Sequence, residues 1–102
     1  MHPVSEKLLK FYNNDPARWT QGEWARDKNG KRTSWESNLA RCFCLDGALE
    51  RLVIDLTITS KESTDFWQAF RVAHGTNPVN FNDSLAKTFE DVKKAIENVP
   101  AN

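Results

Sequence analysis

The chain is poor in the residues that staple a fold, wrap a phosphate or anchor a protein in a membrane. Of its 102 residues only two are cysteines, Cys42 and Cys44, two positions apart. A secreted disulfide framework uses more cysteines at wider spacing, so free thiols are expected. Glycine is equally scarce, with Gly22, Gly30, Gly47 and Gly75 scattered singly. Walker-type and dinucleotide loops need clustered glycines to bring the backbone round a phosphate, so neither is present. There is no G-x-S-x-G elbow and no H-E-x-x-H pair. Net charge is missing too, because fourteen Lys and Arg balance fourteen Asp and Glu. A surface that grips nucleic acid or anionic lipid with its whole area is therefore not expected. No apolar run approaches the ~20 residues that span a bilayer, and the first residues lack the apolar core of a signal peptide. The expectation is a cytoplasmic protein with no membrane partner.

What the chain does have is aromatic mass. Four Trp and six Phe are generous for this length and point to an aromatic core. Length suits one domain over residues 1–102, above the roughly 70–80 residues below which a metal or disulfide staple is usually needed. Val4, Leu8, Leu9, Phe11 and Tyr12 form a helical stripe over about 4–13, ended by Asn13-Asn14-Asp15-Pro16. Over 18–34 the strand formers Trp19, Thr20, Trp24 and Thr33 flank Asn29-Gly30, a tight-turn pair, which predicts a short hairpin with Gly22 at a bulge. Apolar spacing then predicts a long buried helix within 35–56, capped by Ser34 or Ser37, although Leu52–Ile58 also alternates like a strand. A helix over 63–74 follows, with Ser63 or Thr64 as cap, Phe66, Trp67, Phe70 and Ala73 inward, and Gly75 as stop. Residues 76–83 read as an ordered loop. The last helix starts at about 84 or 88 and runs to 98, with Thr88 and Asp91 as a capping box and Phe89, Val92, Ala95, Ile96 and Val99 buried. The fold class is mainly α (α+β), about four helices with one short β-hairpin near 18–34.

Wound at ~100° per residue, the 35–56 helix has three faces. Trp35, Cys42, Leu45, Leu49, Leu52, Val53 and Leu56 make a broad apolar one. Ala40, Cys44, Gly47 and Ala48 make a small one, suited to a closely packed second helix. Between them lie Glu36, Leu39, Phe43, Asp46 and Glu50. This strip is either a solvated acidic edge or a partner surface, with Asp46 available to a Trp indole or an Arg.

Catalytic and metal constellations are weak. Cys42, Cys44, His74 and His2 supply four metal ligands on paper, but two helical cysteines ~200° apart cannot converge, and His2 lies near a terminus. No metal and no cofactor is expected. A nucleophilic Cys44 would need a base such as His74, whereas a small buried cysteine packing like alanine is the ordinary use. Asp83, Glu90 and Asp91 suit turns and caps as well as acid–base work. His74 beside Gly75 suits a helix C-terminus. From Arg18 to Arg32 there are five basic and two acidic residues, a local net of +3, beside Trp19 and Trp24. Basic residues among aromatics can hold phosphates and stack bases.

Three segments together carry a resemblance: Trp19-Thr20-Gln21-Gly22, Cys44-Leu45-Asp46-Gly47-Ala48-Leu49, and Phe81-Asn82-Asp83 with Thr88-Phe89-Glu90-Asp91-Val92. In order and spacing the chain resembles an uncharacterised family of small phage and bacterial proteins with W-x-Q-G, C-x-x-G-A-L and N-D-x(4)-T-x-x-D-V segments. The resemblance implies weight on Trp19, Gln21, Gly22, Cys44, Gly47, Asn82, Asp83, Thr88 and Asp91, and implies no catalytic role. Asp46 stands where an apolar or small residue is expected, and Cys42 is an extra thiol.

The leading expectation is a non-enzymatic interaction module, in the resemblance's setting a phage or prophage accessory protein that binds a host protein through Leu39, Phe43, Asp46 and Glu50. One alternative is a small nucleic-acid-binding domain using Arg18, Trp19, Trp24, Lys28, Lys31 and Arg32. Another is a small-ligand or enzymatic site built on Cys44, His74, Asn82 and Asp83, which requires those groups to converge. Self-association stays open.

Overall fold

The computed structural model describes residues 1–101. Helix α1 spans Pro3–Tyr12 and is followed by a 3-10 turn at Pro16–Arg18. Strands β1 (Ala25–Arg26), β2 (Arg32–Thr33) and β3 (Cys42–Phe43) form a small antiparallel sheet in the order β2-β1-β3. Helices α2 (Leu45–Ile54) and α3 (Ser60–His74), a single turn α4 (Pro78–Asn80), a π-helix (Phe81–Leu85) and α5 (Phe89–Glu97) complete the chain. The architecture is mainly α with a short hairpin, as the sequence predicts.

Helix α1 begins differently from expectation. His2 is no loose terminal residue: its Nδ1 accepts the Val4 N–H at 3.1 Å and its ring meets Phe66 edge-on at 5.4 Å. Burial holds its pKa below the ordinary value. The hairpin forms around Asn29-Gly30, where Asp27 Oδ1 accepts from Asn29 and Lys31 N–H groups and Gly30 takes a positive φ of 81°.

The predicted helix over 35–56 is a correction. Residues 35–41 are turns, and only 45–54 are helical. Ser34 and Ser37 do not cap a helix; their hydroxyls accept from the Glu36 and Leu39 N–H groups, closing local turns that compete with helix. Long-range pairing then claims Cys42–Phe43 as a strand, because Arg41 N donates to Arg26 O and Cys44 N to Trp24 O. The Arg51 guanidinium fastens the loop by donating to the Trp35 and Ser37 carbonyls at 2.9 and 2.8 Å. Cys44 caps α2. At Gly47 the small face meets backbone and not a second helix. A Cβ on Gly47 would strike the Trp24 carbonyl, so the backbone just before β1 is what packs there.

Helix α3 starts three residues before the predicted range, with Thr59 and Glu62 forming a reciprocal capping box in place of Ser63 or Thr64. Phe66 and Phe70 are buried, Trp67 is partly so, and Ala73 faces solvent. The predicted loop over 76–83 is a tight helical turn running into the π-helix. Thr88 and Asp91 cap α5 as expected, and its apolar stripe of Phe89, Val92, Ala95, Ile96 and Val99 is buried. These faces share one core with Val4, Leu8, Tyr12, Leu45, Leu49 and Phe66, and the buried Tyr12 hydroxyl donates to Phe43 O at 3.0 Å.

Candidate functional site

Residues from the three segments that carry the resemblance meet in space, with Trp19 joined to Asn82 and near Phe89, and Leu45 joined to Asn82. The 19–22 loop lies against the π-helix, and Asn82, fully buried, is the hub between them. Its Oδ1 accepts from Trp19 Nε1 at 2.7 Å and from Leu45 N at 3.0 Å, while its Nδ2 donates to Thr20 O and to Asp83 Oδ1. Gln21 Nε2 donates to the Asn82 and Ala86 carbonyls, and Asp83 Oδ1 accepts the Gly22 N–H. The wider π turn, closed by Ala86 N donating to Phe81 O, turns Asn82 inward while Phe81 packs on Phe70. The first turn of α2, the tryptophan loop and the π-helix are thus locked by one side chain.

Cys44 sits at the edge of this lock. Its Sγ accepts the Gly47 N–H at 3.2 Å, and burial, with the carboxylates of Asp46 and Asp83 adding, pushes its thiol up to about 11. A thiol held protonated is a poor nucleophile. Cys44 and Asp83 line a small cleft of about 170 Å³ with Gly22, Glu23, Trp24 and Val79. His74 lies elsewhere, donating Nε2–H to the Ala95 carbonyl at 2.8 Å in a cleft with Phe81, Leu85 and Lys94. The proposed quartet therefore separates: Cys44, Asn82 and Asp83 are close, and His74 belongs to another surface. Cys42 and Cys44 are both free. The ~200° helical separation does not apply to them, since both are in extended backbone. Among the described residues no group of three or more His, Cys, Asp or Glu is placed to hold a metal.

The expected partner strip also separates. Phe43 is buried under Phe11, 5.0 Å between ring centres, and Leu39 is 65% exposed on the turn before β3. Asp46 and Glu50 remain on α2. Burial raises the Asp46 pKa, the Glu50 charge adds to that, and hydrogen bonding from the Trp24 side chain opposes both.

Of the basic–aromatic set, Arg18 and Trp19 are used internally. Arg18 Nε donates to Phe11 O at 2.9 Å with its guanidinium 4.9 Å from the Phe11 ring centre, and Trp19 holds Asn82. Lys28, Lys31 and Arg32 are exposed. Trp24 is 52% exposed and stands edge-to-face with Trp35, 4.6 Å between centres and 87° between planes. The two rings open onto a cleft of about 410 Å³ lined also by Glu23, Arg32, Thr33 and Ser34. Trp35 is the residue that sequence reasoning missed here, having been assigned to a helix face. Its only sequence signal is its place just after the hairpin.

No helix among the described residues is long and apolar enough to cross a membrane. No curated protein and no solved structure matches the chain. A family model described as a family of unknown function (DUF6197) matches residues 15–102, and the chain belongs to that family.

Proposed function

We propose that the protein is a non-enzymatic interaction module whose binding surface is the Trp24–Trp35 cleft. The observation that carries this reading is an indole left half in water on a rigid mount. Trp24 O accepts the Cys44 N–H at 3.1 Å and abuts Gly47, so the ring projects from a fixed backbone. Trp is enriched among the residues that carry most of an interface's binding energy, and a ring on a fixed backbone loses little entropy on contact. Trp35 adds a buried indole N–H with no acceptor among the described residues, and Leu39 adds exposed apolar area on the same loop.

Against catalysis stand the groups themselves. The Cys44 thiol is kept protonated, Asn82 and Asp83 are engaged in the lock, and His74 is on another cleft. The partner class is a protein, and the setting is a phage or prophage accessory protein acting on a host protein; this setting rests on the resemblance alone. A photocrosslinking side chain at position 39 tests it in host lysate. Capture of a defined protein that disappears in Trp24→Ala supports the reading, and capture indifferent to Trp24 sinks it.

A further inference from the structure

Resting on that reading, we propose that the partner segment is an extended acidic peptide. It adds to the open edge of β2 and seats one apolar side chain between Trp24 and Trp35.

The sheet has a free edge at β2. In the order β2-β1-β3, nothing among the described residues pairs with the outer side of β2, whereas the outer side of β3 is bridged by Trp19, and Phe43 O there accepts the Thr20 N–H. Successive residues of an antiparallel strand face alternately toward and away from the neighbour. Lys31 O accepts from Asp27 N at 2.8 Å, so Lys31 faces β1 and Arg32, next along, turns its N–H and C=O outward. An extended peptide can bond both groups, which is how strands add to sheet edges. The Arg32–Thr33 edge is also one wall of the Trp24–Trp35 cleft. A peptide paired there places alternate side chains toward the two rings.

Charge selects the peptide. Lys28, Lys31 and Arg32 are exposed, and their side chains make no ion pair or side-chain hydrogen bond among the described residues. The nearest acid by sequence, Asp27, spends Oδ1 on the hairpin turn. The three exposed cations outnumber the Asp27 and Glu23 carboxylates near them, so the rim at β2 keeps a positive excess, which favours carboxylates along the docked strand. Nucleic acid fits less well. Glu23 lines the same cleft, and a phosphodiester chain, charged at every nucleotide, would cross it. A peptide keeps its carboxylates on the Lys31–Arg32 side and offers the rings an uncharged residue.

The test uses the whole chain and short fluorescein-labelled peptides of alternating glutamate and leucine or phenylalanine, with glutamine versions and an oligothymidylate as comparators. The glutamate peptides are expected to bind, with amide shifts centred on Arg32 and Thr33 in a heteronuclear NMR spectrum. Glutamine versions and the Trp24→Ala variant should bind at least about tenfold more weakly. Arg32→Gln removes the charge alone, and Arg32→Pro also removes the outward N–H and should weaken binding further; thermal melts establish that each variant is folded. The inference is overturned if no glutamate peptide binds, if the Arg32 amide does not shift, or if the oligothymidylate binds in the peptide's place. A Trp24-dependent crosslink that persists while every acidic peptide fails would leave the interaction module standing and remove the acidic strand.

Discussion

Gly47 lies directly under the backbone carbonyl of Trp24: a Cβ at position 47 would collide with that oxygen and sit 3.0 Å from its carbon. The same oxygen accepts the Cys44 N–H that closes β3 onto β1. One peptide group is thus the meeting point of the sheet, the start of α2 and the exposed indole.

Gly47→Ala tests that junction, because two effects of opposite sign compete. Helix propensity alone favours Ala over Gly by about 1 kcal/mol. Overpacking against an immobile backbone costs about 1–3 kcal/mol, and here it is larger, since the obstacle is a carbonyl and not a flexible side chain. The expected outcome is a lower urea midpoint with an unchanged slope and a shift in Trp24 emission. A stabilised variant would show that the helix and strand do not meet this closely.

Asn82→Ala removes the hub of the lock. Trp19 Nε1 and Leu45 N lose their acceptor, and Thr20 O loses a donor. Each buried group left unsatisfied costs about 1–3 kcal/mol, less where water can enter, which gives a loss of about 2–4 kcal/mol. Denaturant unfolding measures it. Hydrogen exchange should rise together at the 19–22 loop and the first turn of α2, a pairing that a local defect in the π-helix alone would not produce.

The elements that were legible in the sequence are those whose signal is local. Val4, Leu8 and Tyr12 spell one helical stripe, Phe89, Val92 and Ile96 another, and Thr88 with Asp91 announces its start. Trp35, Cys42, Leu45 and Leu49 also stand at helical spacing, and the helix they suggest starts too early, because backbone pairing of Arg41 with Arg26 and Cys44 with Trp24 decides that segment from a distance. Strands of two residues carry no alternation to read. Thr59, with Glu62 three residues on, is a cap pattern readable in the sequence, and it puts Ser63 and Thr64 inside the helix. At the site, the resemblance puts weight on Asn82, Gln21 and Gly22, but that they are joined through Asn82 and Asp83 is visible only in three dimensions. The Trp24–Trp35 cleft was half visible, since the partner ring sits across a loop that sequence placed in a helix.

Asp46→Asn should stabilise the fold near neutral pH, and the gain should vanish in acid. The folded pKa of Asp46 is raised by burial and by Glu50, so the native state binds its proton more tightly than the unfolded chain does. The penalty for holding the charge is present in full above the folded pKa. It is relieved as pH falls, and is gone below the unfolded value of 3.8. Asn carries no charge and keeps an amide oxygen facing the Trp24 side chain that lowers the Asp46 pKa. Thermal melts of both proteins from pH 7 down to pH 3 check this: the variant's advantage should shrink steadily, and an advantage independent of pH would assign it to something other than the Asp46 charge.

Leu56→Gly should also stabilise, for a backbone reason. Helix α2 closes with Thr57 N donating to Leu52 O at 2.9 Å and Leu56 N donating to Val53 O at 3.0 Å, a paired ending that places residue 56 in the left-handed region. Leu56 takes φ 60° there and is 90% exposed. A side chain in that conformation costs about 1–2 kcal/mol, and glycine's extra freedom in the unfolded chain returns about 0.5–1 kcal/mol of the gain. The net expectation is a stabilisation of about 0.5–1 kcal/mol, raising Tm by roughly 2–8 °C for a chain of this size. Asn, which tolerates the left-handed region, should move Tm in the same direction by less. A fall in Tm for both variants would mean that the Leu56 side chain contributes contacts worth more than the strain it imposes.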